Sequence, residues 1–302
     1  MEDATSALKD SKSKVNIKPG SKLSVFIKLL LKSKTGLVGL IVLTTISIVA
    51  IFAGYIAPHN PVEPNLSHIL VPPSWQEGGM SEYLLGTDNL GRDIFSRLVY
   101  GTRVSLIVGV LSVVVAGAIG LLIGVAAGYF GKWVDQVLMR IVDAFLSIPS
   151  ILFIMVVLTI FSPNLFMLII VIGLTTWVNY ARIIRSEVLS LKEREFVKAS
   201  QTIGTSHWTI IRKNLIPNVM STFIVISTLS VATTIILEAS LSFLGIGIQP
   251  PDISWGGMLN DGRDYLATHW WMGTFPGLAI TITVLSIIFL GDWLRDVLDP
   301  RL

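Results

Sequence analysis

Residues able to do chemistry are few in this chain and poorly arranged for catalysis. His59, His68, His207 and His269 are scattered, and no H-E-x-x-H, G-x-S-x-G or G-x-x-x-x-G-K-[ST] pattern occurs. Without a phosphate loop, the chain is not expected to hydrolyse ATP by itself. Asp88, Asn89 and Asp93 offer oxygen ligands, but the alternating ligands and central glycine of a calcium loop are missing, so no metal site is expected. The absence of cysteine removes disulfides, thiol catalysis and cysteine-ligated metals together. One ionisable group stands out. Glu238 interrupts an apolar run, where a carboxylate is costly unless it is paired or reaches water. About 30 Å of helix, at roughly 1.5 Å per residue, separates it from Pro217. That distance puts Glu238 near the outer end of the run, either seating and closing the loop that follows or lining a path between the helices.

The densest polar pattern lies at 194–218. Phe196, Ala199, Ser200 and Ile203 recur at helical spacing, and Gly204 follows as a left-handed C-terminal cap. Ser206 is placed to accept from the free amides of a second helix. The apolar side of that helix carries Trp208, Ile211 and Leu215, until Pro217 interrupts the ladder. The expectation is two short helices meeting at a tight turn, a compact shape suited to a groove on a soluble partner. The plainer alternative is a solvated loop.

The elements around this pattern are apolar. Hydrophobic residues make up 52% of the 302 and charged residues 14%, too apolar for an ordinary soluble domain. A membrane crossing needs roughly 20 such residues. The runs 35–56 and 104–130 qualify. The uncharged stretch from Asp143 to Arg182 is long enough for two crossings, with a turn at 162–164, and 218–244 and 275–290 complete six. Basic residues set the orientation. Lys9, Lys12, Lys14, Lys18, Lys22, Lys28, Lys32 and Lys34 crowd the N-terminal tail, and Arg182, Arg185, Lys192, Arg194, Lys198, Arg212 and Lys213 crowd the 181–217 loop. Both segments, and the tail after 292, are expected inside, with 57–102 and 245–274 outside.

Smaller features fill in the plan. Val25, Phe26, Leu29 and Leu30 among lysines predict a short helix on the inner lipid surface, and the tail is expected to be retained, since no cleavage pattern follows it. Ile94, Phe95, Leu98 and Val99 describe an amphipathic helix on the outer surface, which Gly101 is expected to terminate. Trp255, Trp270 and Trp271 are expected at the outer interface, mostly as belt residues. A formal net charge of +3 is small, and no nucleic-acid partner is expected.

The 194–218 stretch resembles the cytoplasmic loop of ABC importer permeases, whose pattern is Glu-Ala-Ala, three residues, Gly, nine residues, then Ile-x-Leu-Pro. Lys198, Ala199 and Ser200 stand at the first three positions, Gly204 is the glycine, and Asn214 to Pro217 fill the end. Lys198 replaces the acidic residue and Asn214 the isoleucine, with Glu195 one turn earlier as a substitute carboxylate. The stretches 85–101, 237–260 and 291–301 resemble the C-type permease subunit of dipeptide and oligopeptide importers, the binding-protein-dependent inner-membrane components of type I fold.

The resemblance implies an all-α polytopic protein of six transmembrane helices with both termini cytoplasmic, in a bacterial cell membrane. Its parts are a tail at 1–34, a first helix at 35–56, an extracytoplasmic loop and surface helix at 57–103, a permease core at 104–291 with its coupling loop at about 182–217, and a tail at 292–302. It implies coupling to an ATPase through Glu195, Lys198, Ala199, Ser200, Gly204, Thr205, Ser206, Trp208 and Pro217. The implied partners are a B-type permease, two cytoplasmic ATPase subunits, an external binding protein, a peptide substrate and membrane lipid. No cofactor is implied on this chain, because ATP and magnesium belong to the ATPase subunits. Related importers carry nickel chelates, glutathione or opines. An ion-coupled secondary transporter is the rival class, and Glu238 alone among ionisable groups lies well inside a span.

Overall fold

The computed structural model describes residues 22–161 and 163–298, and among these residues no strand forms. The N-terminal tail through residue 21, expected to be retained and inside, and the last four residues of the C-terminal tail, expected inside, lie outside the described residues.

The chain opens with α1 (Lys22–Lys32), a break at Ser33, and α2 (Lys34–Ile51). The Ser33 hydroxyl caps α2 by accepting from the Gly36 amide at 3.2 Å. After the short α3 (Ala53–Ile56) the chain runs irregularly to Asp93, which caps α4 (Ile94–Phe130) by accepting from the Phe95 and Ser96 amides. Helix α4 does not stop at Gly101. Its 37 residues continue unbroken, about 55 Å at 1.5 Å per residue. The expected separate surface helix is therefore the first turns of the long one. The physical reason lies outside the local sequence. A Cβ on Gly101 would sit 2.9 Å from Trp255 Cδ1, so this glycine admits a tryptophan from a distant loop and does not end the helix.

A reversal at Gly131 leads into α5 (Lys132–Leu146), which is bent by 79° against α6 (Ser150–Ile160) across Pro149. At 11 residues, α6 is too short to cross a bilayer alone. It is followed by α7 (Leu165–Lys192), capped by Asn164. Of the two crossings expected between Asp143 and Arg182, one is the intact α7, and the place of the other is taken by the broken α5–α6 pair, which has the length of a crossing only when its two helices are taken together. Next come α8 (Glu195–Thr202), α9 (His207–Ile210), α10 (Ile216–Phe243), α11 (Trp255–Gly262) and α12 (Trp271–Leu298). Among the described residues five helices are long and apolar enough to cross a membrane, and six if the bent pair counts as one.

The core is a packing of α4 on α7, with α10 and α12 alongside. Helices α4 and α7 approach closely because side chains are missing at the contact. A Cβ on Gly120 would lie 2.3 Å from Tyr180 Cβ, and one on Gly124 2.8 Å from the Ala181 carbonyl. Small residues allow such backbone approach inside a membrane, where dispersion contacts replace the hydrophobic drive. Helix α2 packs on α12 in the same way, with Gly39 against the Ser286 carbonyl. The 194–218 hairpin closes one end of the bundle. The segment 57–93 and the segment 245–270, which carries α11, close the other.

Candidate functional site

The hairpin is built by local capping. Glu195 stands in the first turn of α8, where the amide ends favour a negative charge. The helix ends with Gly204 at φ +75°, while the Thr205 amide donates to the Ser200 carbonyl and the Gly204 amide to the Gln201 carbonyl, each at 3.0 Å. This pair of reversed bonds satisfies carbonyls that a helix end leaves free. The Ser206 hydroxyl accepts from the Thr209 amide and starts α9.

Pro217 does not cut the second arm short, as expected from its missing amide. The segment Ile211–Leu215 widens into a π turn, the Ile216 amide donates to the Ile211 carbonyl, and Pro217 enters α10 at its start. The widened turn makes room for the proline ring. The second arm and α10 thus form one structure from His207 to Phe243.

Which residues face inward differs from the periodic reading. Val197, Ile210, Ile211 and Leu215 are buried against Tyr129, Val188 and Leu191. Phe196 and Ile203, read as recurring at helical spacing, and Trp208, read on the apolar side of the second helix, are 46%, 80% and 67% exposed. Ala199, Lys198 and Gly204 are exposed with them, and nothing lies within 4 Å of a Cβ built on Gly204. The tip therefore presents a rim of large apolar groups around a bare left-handed turn.

The two departures from the resembled pattern acquire partners here. Lys198 pairs with Glu193 at 2.8 Å, and that hydrogen-bonded ammonium holds the Glu193 carboxyl below the usual carboxylate range. Asn214 donates to the Ser200 hydroxyl at 2.8 Å and pins one arm to the other. The hairpin also touches the bundle through a polar contact that sequence reasoning missed: His207 Nδ1 lies 2.7 Å from the Tyr129 hydroxyl, and inside the bundle Lys192 of α7 donates to the Tyr129 carbonyl at 2.8 Å. Separations of 78 and 63 residues left no local signal for either contact.

At the opposite end Glu238 is fully buried. Ser242 donates to its Oε1 at 2.7 Å and in turn accepts from Ser254 and from the Ile248 amide, both at 3.3 Å. Since Ser254 caps α11, this chain of hydroxyls seats the 245–254 loop on α10. Trp255 and Trp271 are not belt residues. They are 2% and 4% exposed and donate to the Leu98 and Thr87 carbonyls at 3.0 and 3.1 Å. Only Trp270 remains part-exposed at the surface. Arg92 donates to Asp88 at 2.7 Å, Arg97 also pairs with Asp88, and both arginines reach Asp261 at 3.0 and 2.9 Å. Asp88, weighed in the sequence only as a possible metal ligand, is an ion-pair partner instead, and Asp261 lies more than 160 residues from both arginines.

A family profile described as "binding-protein-dependent transport system inner membrane component" matches residues 120–302, and one described as the N-terminal TM domain of oligopeptide transport permease C matches 21–73. The chain is similar to the di/tripeptide transport system permease protein DppC of Pseudomonas aeruginosa, at 40% identity over 93% of each chain. It is 41% identical to the dipeptide transport system permease protein DppC of Bacillus subtilis over 90% of this chain and 83% of the relative. The corresponding Escherichia coli protein is 42% identical over 94% and 95%. Among solved structures, an inward-facing form of the MetNI methionine ABC transporter shares the fold, with a TM-score of 0.56 at 21% identity, covering 68% of this chain and 97% of that one.

Proposed function

The chain belongs to the family of binding-protein-dependent transport system inner membrane components, and from that premise we propose that it is a permease subunit of an ATP-driven ABC importer. It forms half of a translocation path for peptides, the cargo named for its relatives, which an external binding protein delivers. Two cytoplasmic ATPase subunits hold the ATP and magnesium, and a B-type permease supplies the other half of the path. The membrane is the bacterial cell membrane. By the distribution of Lys and Arg, the hairpin end and both termini face the cytoplasm.

The observation that carries this reading is the tip at Gly204. Phe196, Ile203 and Trp208 stand exposed on a capped, rigid hairpin between two membrane-crossing helices, the shape of a knob for a groove. Closure of the ATPase subunits displaces this knob, and the buried cluster of Val197, Ile210 and Leu215 carries the displacement into α4, α7 and α10. The cycle is alternating access by rigid-body coupling. The test is reconstitution in lipid. The chain alone is expected to hydrolyse no ATP, and addition of the partner permease, ATPase subunits and binding protein is expected to produce ATP-driven peptide uptake. ATP turnover by the purified chain, or uptake without ATPase subunits, would refute the reading.

A further inference from the structure

Most contacts between the hairpin and the bundle are apolar, and apolar contacts carry no direction. Their close packing carries displacement between the elements but fixes no particular pair of atoms. A directed contact occurs at the bend. His207, the first residue of α9, meets the hydroxyl of Tyr129, which is buried in the last turn of α4. The rings stand edge to face, with centroids 5.6 Å apart, and Phe130 packs beside Tyr129 with its centroid 6.3 Å from that of His207. Tyr129 is itself held from a third element. Lys192, the last residue of α7, donates to its carbonyl at 2.8 Å and lies 5.9 Å from its ring centroid. Just beyond, Gly131 and Lys132 turn left-handed at φ +63° and +47°, so α4 ends abruptly at this junction. For Lys132 that conformation is sparsely populated and persists because its surroundings impose it.

We infer that the Tyr129–His207 hydrogen bond is a strut that transmits lateral displacement of the hairpin to α4. The inference rests on the coupling role proposed above and adds the residues that convey it. Its consequence is geometric. Helix α4 runs unbroken for 37 residues from this junction back to its cap at Asp93, and Arg97 near its far end grips Asp88 of the 57–93 segment and Asp261 of α11. A push at His207 is therefore delivered through one rigid helix to the other end of the bundle. Tyr129 and His207 are positioning residues, because neither is asked to touch ATP or peptide.

The experiment uses the full complex with its binding protein in proteoliposomes, with radiolabelled dialanine as the probe, and reads uptake per ATP hydrolysed. Tyr129→Phe keeps the ring and removes the hydroxyl. It is expected to leave the ATPase subunits bound and to lower uptake per ATP about fivefold, the factor that one ordinary hydrogen bond is worth. His207→Leu is expected to do the same, and the double variant to be no worse than either single one. His207→Asn, which places an amide near the position of Nδ1, is expected to restore most of the coupling. Unchanged uptake per ATP in Tyr129→Phe, losses that multiply in the double variant, or release of the ATPase subunits by Tyr129→Phe would each overturn the strut. Failure of the transport reading is recognised separately, because the unaltered complex would then show no ATP-driven uptake at all.

Discussion

The two ends of the bundle are built on opposite plans. At the hairpin end the large apolar side chains Phe196, Ile203 and Trp208 face away from the bundle, and the cluster beneath them is built from Val197, Ile210 and Leu215. At the loop end Trp255 and Trp271 are enclosed and hydrogen-bonded, and Arg92 and Arg97 are paired with Asp88 and Asp261. At the loop end these particular groups already have partners within the chain. At the hairpin end the large apolar groups stand exposed, which fits the coupling role proposed above, since aromatic groups seated in a pocket provide much of the energy of a typical interface.

The sharpest way to break this comparison is to truncate one tryptophan at each end. Trp255→Ala opens a cavity beside Gly101 and is expected to cost about 3–5 kcal/mol of stability, read as a large fall in melting temperature of the detergent-solubilised protein. Arg97→Ala comes next. It leaves Asp88 buried with Arg92 alone, at an expected cost of about 3 kcal/mol, the lower end for breaking a buried pair. Melting at the unaltered temperature would show that the loop end does not depend on the ion network. Trp208→Ala is expected to leave stability within about 0.5 kcal/mol, yet to weaken ATPase attachment by about 2 kcal/mol in pull-down titrations. Equal stability losses for Trp208→Ala and Trp255→Ala would erase the distinction between the ends.

Gly204→Val sharpens the contrast at the tip. No neighbour stands in the way of the new side chain, so only the left-handed backbone opposes it, at about 1–3 kcal/mol. Insertion and folding are expected to survive while ATPase binding and uptake are lost. Retention of both would reduce the hairpin to a solvated loop. The smallest effect is expected from the exposed Lys198–Glu193 pair. Because Lys198 depresses the Glu193 carboxyl, the pair contributes above the ordinary carboxylate range, and its contribution fades as the pH falls through the lowered value. In melting curves recorded across acid pH, Lys198→Met should differ slightly from the unaltered protein near neutrality and not at all below that value. A difference that grew on acidification would contradict the pairing.

Much of this protein was decided by short-range chemistry. The caps at Gly204, Ser206 and Asn164 act within four residues of themselves, and the length of an apolar run does not depend on what surrounds it. The hairpin, most crossings and the resemblance of the 194–218 stretch were therefore legible in the sequence. Periodicity shows that a helix has an apolar side but not which large residue will be buried, since that depends on the shape of the surface it meets. Val197 won over Phe196 and Ile203 because the ends of α4 and α7 receive it. Gly101 permitted a helix end by its type and permitted a close contact by its size, and Trp255, more than 150 residues away, decided for contact. The π turn before Pro217, the partnership of Arg97 with Asp261 and the Tyr129–His207 contact arose in the same way, from groups that only the packed bundle brings within hydrogen-bonding distance.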